Sequence, residues 1–138
     1  MLYTINQVVS DAQMELGIAQ KPISSVVTSL DEDVAQMVAL MSAVADDVLL
    51  EEPYKITLGD GYWVSDLNGV PKARPTTDTD LILFDGRLAI DGLKYRFLKG
   101  KGLEFGEEMR DYTARMNKLA GRVNARVLDL DVDEGRQQ

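Results

Sequence analysis

Residues 91–105, Asp91-Gly92-Leu93-Lys94-Tyr95-Arg96-Phe97-Leu98-Lys99-Gly100-Lys101-Gly102-Leu103-Glu104-Phe105, decide the fold. With Ile90 just upstream, Leu93 and Phe97 follow at spacings of 3 and 4, which is one helical face. This predicts a helix that starts near Asp85 or Gly86 and runs to Lys99. Arg87, Lys94, Arg96, Lys99 and Lys101 make the rest of that segment basic. Gly100-Lys101-Gly102 breaks the pattern and predicts a short connection to the next helix. Beyond it, Phe105, Met109, Tyr112, Met116, Leu119 and Val123 are spaced 4, 3, 4, 3 and 4. That is the seam of a helix packed against other helices, and it predicts a helix from Leu103 to Arg126.

Two further helices precede this pair. Ile5, Val8, Val9, Ala12 and Leu16 form one face of a helix over Tyr3–Leu16. Thr4 with Gln7 fits a capping box, Tyr3 with Val8 fits a hydrophobic staple, and Gly17 sits where a C-terminal cap belongs. Lys21-Pro22 forces extended backbone, so 18–30 reads as a loop. A second helix is predicted from Asp31 to Leu50, with Ser29 and Glu32 as a capping box and Pro53 as its stop. Val34, Met37, Val38, Met41, Val44, Ala45 and Val48 are its apolar stripe, read as core filling.

Between the two helical pairs the character changes to β. Tyr54 to Leu58 alternates, and Gly59-Asp60-Gly61 signals a turn. Tyr62-Trp63-Val64 and Val70 to Ala73 flank Asn68-Gly69, a dipeptide that favours a type I′ hairpin turn. Pro71 and Pro75 confine this hairpin to a sheet edge. Leu81 to Phe84 is a further short strand candidate. In the tail, Leu128, Leu130 and Val132 alternate with Asp129, Asp131 and Asp133, the period of a strand. The expected fold is therefore mainly α. It has a four-helix bundle-like core over residues 1–126, a small β-hairpin insertion at about 54–84, and an extended C-terminal tail over 127–138.

The 138 residues suit one domain, and 45% hydrophobic with 28% charged is an ordinary globular balance. Cysteine and histidine are both absent. Disulfides, thiolate nucleophiles, Cys/His zinc sites and Ser-His-Asp chemistry are excluded with them. The net charge of -8 disfavours bulk attraction to nucleic acid or to an anionic membrane. That charge is unevenly placed: residues 1–52 carry -8, 53–85 carry -2, 86–126 carry +5 and 127–138 carry -3. Either the two halves attract each other within one fold, or oppositely charged faces join neighbouring subunits. The opening residues Met1 to Gln7 lack a basic region and a long apolar run, so neither an export signal nor a membrane span is expected.

Apparent chemical motifs reduce to structure. Asp129-x-Asp131-x-Asp133 starts like a calcium loop, but glycine arrives one position late, at Gly135, and no bidentate glutamate follows. Gly100-x-Gly102-x-x-x-Gly106 lacks the preceding strand of a dinucleotide site. Glu51/Glu52 and Glu107/Glu108 are neighbours that point apart on a helix. No catalytic, cofactor or metal set is expected. A carboxylate-based hydrolase and an acidic module that binds a host protein remain as alternatives.

The segment 91–105 closely resembles "GLKWRFLKAKGLDY" of bacteriophage head-to-tail adaptors, the connector or tail-accessory-factor family of short-tailed phages. Leu93, Tyr95, Arg96, Phe97, Leu98, Lys101 and Gly102 carry the likeness, with Tyr95 where tryptophan is commoner and Gly106 where alanine is. Glu107-Glu108-Met109-x-x-Tyr112 is similar to the family's "EEF-x-x-Y". The Glu15-Leu16-Gly17 helix end, Ser24 to Val27, Asp31, and Asp78-Thr79-Asp80 before an apolar strand are also similar, so the likeness spans about 1–125.

The resemblance implies a structural virion protein. Such subunits form a ring, often a dodecamer, in the neck between the portal protein and the tail nozzle, and genomic DNA passes through without specific binding. Made in the host bacterial cytoplasm, the chain would need no cofactor and no membrane. On that reading Val127, Leu128, Leu130 and Val132 would dock on the portal by strand addition. Trp63, Asn68, Gly69 and Val70 would meet the nozzle or a neighbouring subunit. Asp46, Asp47, Glu51 and Glu52 would face the lumen, where like charge lets DNA slide.

Overall fold

A computed structural model of the chain describes residues 2–50 and 61–119. The fold is mainly helical with a small antiparallel sheet. The helices are α1 (Ile5–Glu15), α2 (Glu32–Leu50), α3 (Gly86–Gly100) and α4, described over 106–119. The strands are β1 (Val64–Ser65), β2 (Pro71–Lys72) and β3 (Leu81–Ile82).

The backbone N–H groups at the start of α1 show why it begins where it does. A helix leaves its first four N–H groups without internal partners. Here Ile5 N–H donates to the Asp80 carbonyl at 2.8 Å and Asn6 N–H to the Asp78 carbonyl at 3.2 Å. Gln7 N–H donates to the Thr4 hydroxyl, and the Gln7 side chain accepts from Thr4 N–H, closing the expected capping box. The turn that precedes β3 thus completes the end of a helix some 75 residues earlier in sequence.

α1 and α3 end identically. Gly17 and Gly102 adopt φ of +77° and +73°. Gly17 N–H reaches the Met14 carbonyl and Ile18 N–H the Gln13 carbonyl; Gly102 N–H reaches Lys99 and Leu103 N–H reaches Leu98. Both are Schellman motifs, which favour glycine because any Cβ is strained at positive φ.

The expected stripes are the core. Ile5, Val8, Val9 and Ala12 of α1, Val34, Met37, Met41, Val44, Ala45 and Val48 of α2, and Ile90, Leu93 and Phe97 of α3 are buried; Leu16 and Val38 are only partly buried, and Leu88, outside the expected face, joins the core. α3 is the central helix and packs on both α1 and α2. Close packing explains two of its glycines. A Cβ at Gly86 would stand 2.4 Å from the Tyr3 ring, and one at Gly92 would stand 2.8 Å from the Tyr112 ring and 2.9 Å from Val44.

Four local expectations are corrected. Asp31 caps α2, accepting from Asp33 and Val34 N–H at 2.9 and 3.1 Å. Ser29 instead accepts from Asp31 N–H, so the Ser29–Glu32 capping box does not form there. The hairpin turn is not type I′, which needs positive φ at both central residues, because only Gly69 is positive, at +85°. Gly69 N–H bonds to the Asp66 carbonyl and Asp66 N–H to the Val70 carbonyl, closing a three-residue loop of Leu67, Asn68 and Gly69.

The third correction is the start of α4. The Schellman turn carries the chain past Leu103, so helix begins at 106. The fourth concerns its seam: Tyr112 and Met116 are buried, Phe105 and Leu119 are partly buried, and Met109 is exposed.

The sheet order is β2-β1-β3, both pairings antiparallel, with Val64 opposite Lys72 and Ile82. β2, which holds Pro71, is an edge as expected. The predicted strand at 54–58, Pro53 and the far end of the last helix with Val123 lie outside the described residues.

Candidate functional site

The basic segment meets the acidic N-terminal half across the helix interfaces. Arg87 of α3 grips Glu15 at the end of α1 with both guanidinium nitrogens, at 2.6 and 2.5 Å. Lys94, two turns on, reaches the same carboxylate at 3.0 Å. Arg87 also donates to Asp91, one turn along α3, and Arg115 of α4 donates to the second Asp91 oxygen at 3.1 Å. Glu15, Arg87, Asp91 and Arg115 therefore form one chain of charge across α1, α3 and α4. Arg96 pairs with Asp47 of α2, and Lys101 pairs with Asp33 at 3.2 Å.

This network perturbs its own members. The Arg87 hydrogen bond, opposed by partial burial and helped by Lys94, holds the Glu15 carboxyl below its usual range. The Glu15 hydrogen bond likewise raises Arg87. Four of the five cations expected to make the segment basic, Arg87, Lys94, Arg96 and Lys101, thus pair with Glu15, Asp33 or Asp47 of the N-terminal half, and Arg115 of α4 pairs with Asp91. Attraction between the halves within one fold accounts for the first four. Lys99, Arg110 and Lys118 have no ion pair among the described residues.

The motif residues divide between core and rim. Leu93, Tyr95 and Phe97 are buried. Tyr95 stacks on Tyr112 with centroids 5.6 Å apart and lies 6.0 Å from the tilted Phe105 ring. Lys101 sits over the Phe97 ring at 5.4 Å. Leu98 is half-buried beside a shallow cleft of about 350 Å³, lined by Leu16, Ile18, Phe97, Leu98 and Leu103, with Asp33 and Lys101 at its rim. The most motif-like stretch is therefore mainly scaffold, with one apolar cleft at its end.

The hairpin residues also divide. Trp63 is buried, so it belongs to the core and offers no surface. Asn68, Gly69 and Val70 are exposed, and Leu67 beside them is exposed as well. Asp66 fixes this tip: its carboxylate accepts from Asn68 N–H at 2.8 Å and from Val70 N–H at 2.9 Å. Leu67 escaped the sequence reading because apolar residues in turns carry no pattern.

Two more aspartates hold the base of the β region. Asp80, at 1% exposure, accepts from Lys72, from Thr76 and Thr77 N–H, and from the Thr77 hydroxyl. Burial alone would raise its pKa, but these donors hold it well below the carboxylate range. Asp78 accepts from Val26 and Val27 N–H at 3.0 and 2.8 Å, fastening the 18–31 loop. There too burial is outweighed by the donors, and the pKa is lowered.

Of the proposed lumen acids, Asp46 is exposed and has no ion pair among the described residues, whereas Asp47 is the partner of Arg96. Glu51 and Glu52, and the tail residues Val127, Leu128, Leu130 and Val132, lie outside the described residues. Among the described residues no three carboxylates are placed to hold a metal ion, and no helix is long and apolar enough to cross a membrane. No protein-family model, curated protein or solved structure matches the chain.

Proposed function

We propose that the chain is a head-to-tail adaptor subunit, one member of a ring that joins a phage portal to the tail nozzle and lets DNA through. The observation that carries this reading is the 91–105 segment. Its likeness to the adaptor family falls on residues that organise the helical body: Leu93, Tyr95 and Phe97 in the core, and Gly102 at the α3 cap. A role as a structural stave requires such a body and surfaces to join it to others. The exposed hairpin tip is one such surface, and the 127–133 segment, with its alternating apolar and acidic residues, is a second.

The exposed Asp46 carboxylate, with Glu51 and Glu52, is the source of lumen repulsion on this reading; Asp47, compensated by Arg96, contributes less.

Electron microscopy of the protein mixed with its portal tests the proposal. A ring of this chain stacked on the portal is expected. A chain that stays separate from the portal at high concentration overturns the adaptor reading. Removing 127–138 should leave a folded protein that no longer joins the portal, and equal recruitment would remove the tail from the docking role.

A further inference from the structure

The hairpin tip carries the chain's one Asn-Gly pair, Asn68-Gly69, on open surface. The other asparagines, Asn6, Asn117 and Asn124, are followed by Gln7, Lys118 and Ala125. Asn6 and Asn117 lie within helices, and the Asn6 side chain donates to the Ile23 carbonyl at 3.1 Å. Asn68 is exposed, and its side-chain amide makes no hydrogen bond among the described residues. Gly69 stands in open space, where a Cβ would meet nothing within 4 Å. Its nitrogen is therefore an unhindered backbone nucleophile next to a free side-chain amide.

We propose that Asn68 is a self-modification site, that the Asp66 clasp sets its rate, and that the product loosens the same clasp. The reaction is intramolecular, so proximity favours it. Gly69 N gives its proton to hydroxide and attacks Cγ of the Asn68 side chain. The N–Cγ bond forms, the Cγ–Nδ2 bond breaks, and the side-chain nitrogen leaves as ammonia. A five-membered succinimide then links the two residues, and one solvent water opens it. Breaking the N–Cγ bond leaves aspartate at 68. Breaking the bond from Gly69 N to the residue 68 main-chain carbonyl carbon leaves isoaspartate, with the chain running through Cγ. One water is taken up, one ammonia is lost, and nothing is oxidised or reduced. The chemistry needs only the free chain and is independent of the adaptor reading.

The folded tip restrains the first step. Gly69 N–H is held by the Asp66 carbonyl at 3.1 Å. The Asp66 carboxylate holds the amides on either side, Asn68 N–H at 2.8 Å and Val70 N–H at 2.9 Å. Attack requires Gly69 N–H to leave its acceptor and the peptide between 68 and 69 to turn toward Cγ, and both need the clasp to open locally. The product acts back on that clasp. A second carboxylate now stands beside Asp66 where a neutral amide stood, and like charges repel at such range. Isoaspartate also adds a carbon to the main chain inside a three-residue loop, so Gly69 and Val70 lose their register with Asp66.

Peptide mapping by mass spectrometry of full-length protein, aged in warm, mildly alkaline buffer, tests the proposal. Conversion to aspartate and isoaspartate should concentrate at Asn68, at least about tenfold faster than at Asn117, which is exposed but helical. Equal conversion at the two positions overturns the site. Asp66→Ala should speed conversion at Asn68 by about threefold to tenfold, the factor that one or two hydrogen bonds contribute to a local opening. The parent chain unfolded in guanidinium chloride provides the same comparison without a substitution, and it too should convert faster than the folded parent. A rate unchanged by both treatments overturns control by the clasp. Asn68→Asp, which supplies one product directly, should speed hydrogen exchange at Val70 N–H several-fold, and unchanged protection there overturns the loosening.

Discussion

In α3 and in the hairpin tip an aspartate sets the backbone. Asp85 accepts from Leu88 N–H to start the helix, and Asp66 accepts from Asn68 and Val70 N–H to fix the turn. From that common device the segments face opposite ways. α3 buries Leu88, Ile90, Leu93, Tyr95 and Phe97, whereas the tip exposes Leu67 to Val70. Residues that give the chain its likeness to adaptors are chiefly the ones that hold it together. Those free to meet a partner belong to a loop whose side chains obey no helical or strand period.

The largest effects should fall on the buried side of this contrast. Leu93→Ala should lower unfolding free energy by about 2–5 kcal/mol. Gly86→Val, which forces a side chain into the Tyr3 ring, should be comparably severe; urea denaturation reads both. A loss under 1 kcal/mol for either would move α3 out of the core.

Next comes acid. Asp78 and Asp80 have lowered pKa values in the fold. The stability they add is complete above the unfolded carboxylate value of about 3.9 and is lost as pH falls through their lower folded values. Stability should therefore drop below about pH 4. Asp80→Asn should be weaker at pH 7 and fall less steeply in acid, and parallel curves for the two proteins would remove Asp80 from the acid response.

Asp91→Asn should cost about 1–2 kcal/mol, discounted because Arg87 and Arg115 are themselves more than a third exposed. Added salt should narrow the gap between variant and parent. The smallest stability effect belongs to the tip. Leu67→Asp should change unfolding free energy by under about 0.5 kcal/mol while suppressing self-association measured by light scattering. A tip variant that unfolds the chain would erase the distinction drawn between the two regions.

Local signals in the sequence were readable, and distant ones were not. Thr4 with Gln7, Asp85, Gly17 and Gly102 act within one helical turn of where they stand, so their roles can be read from neighbours alone. The stripes of α1, α2 and α3 were legible for the same reason. By contrast, β3 pairs with β1 across two-residue strands, too short to show a period. Asp78 binds amides 51 and 52 residues away, and Glu15 meets Arg87 72 residues on. Trp63 looked like a surface aromatic because nothing nearby in sequence announces the core that covers it. The Ser29 cap failed because Asp31, two residues later, offers a carboxylate to the same helix end. As for the site, the motif residues were found while the cleft was missed, since it forms only where two helix ends meet.

The clasp made by Asp78 has a consequence in time. Val26 and Val27 lie early in the chain, yet the acceptor for their amides is more than fifty residues downstream. During synthesis these two N–H groups wait until residue 78 has left the ribosome and folded back, however early α1 and α2 acquire helical structure. In a refolding experiment with pulsed hydrogen exchange, Val26 and Val27 should gain protection together with the closing of the 76–80 turn, after the helices that flank them.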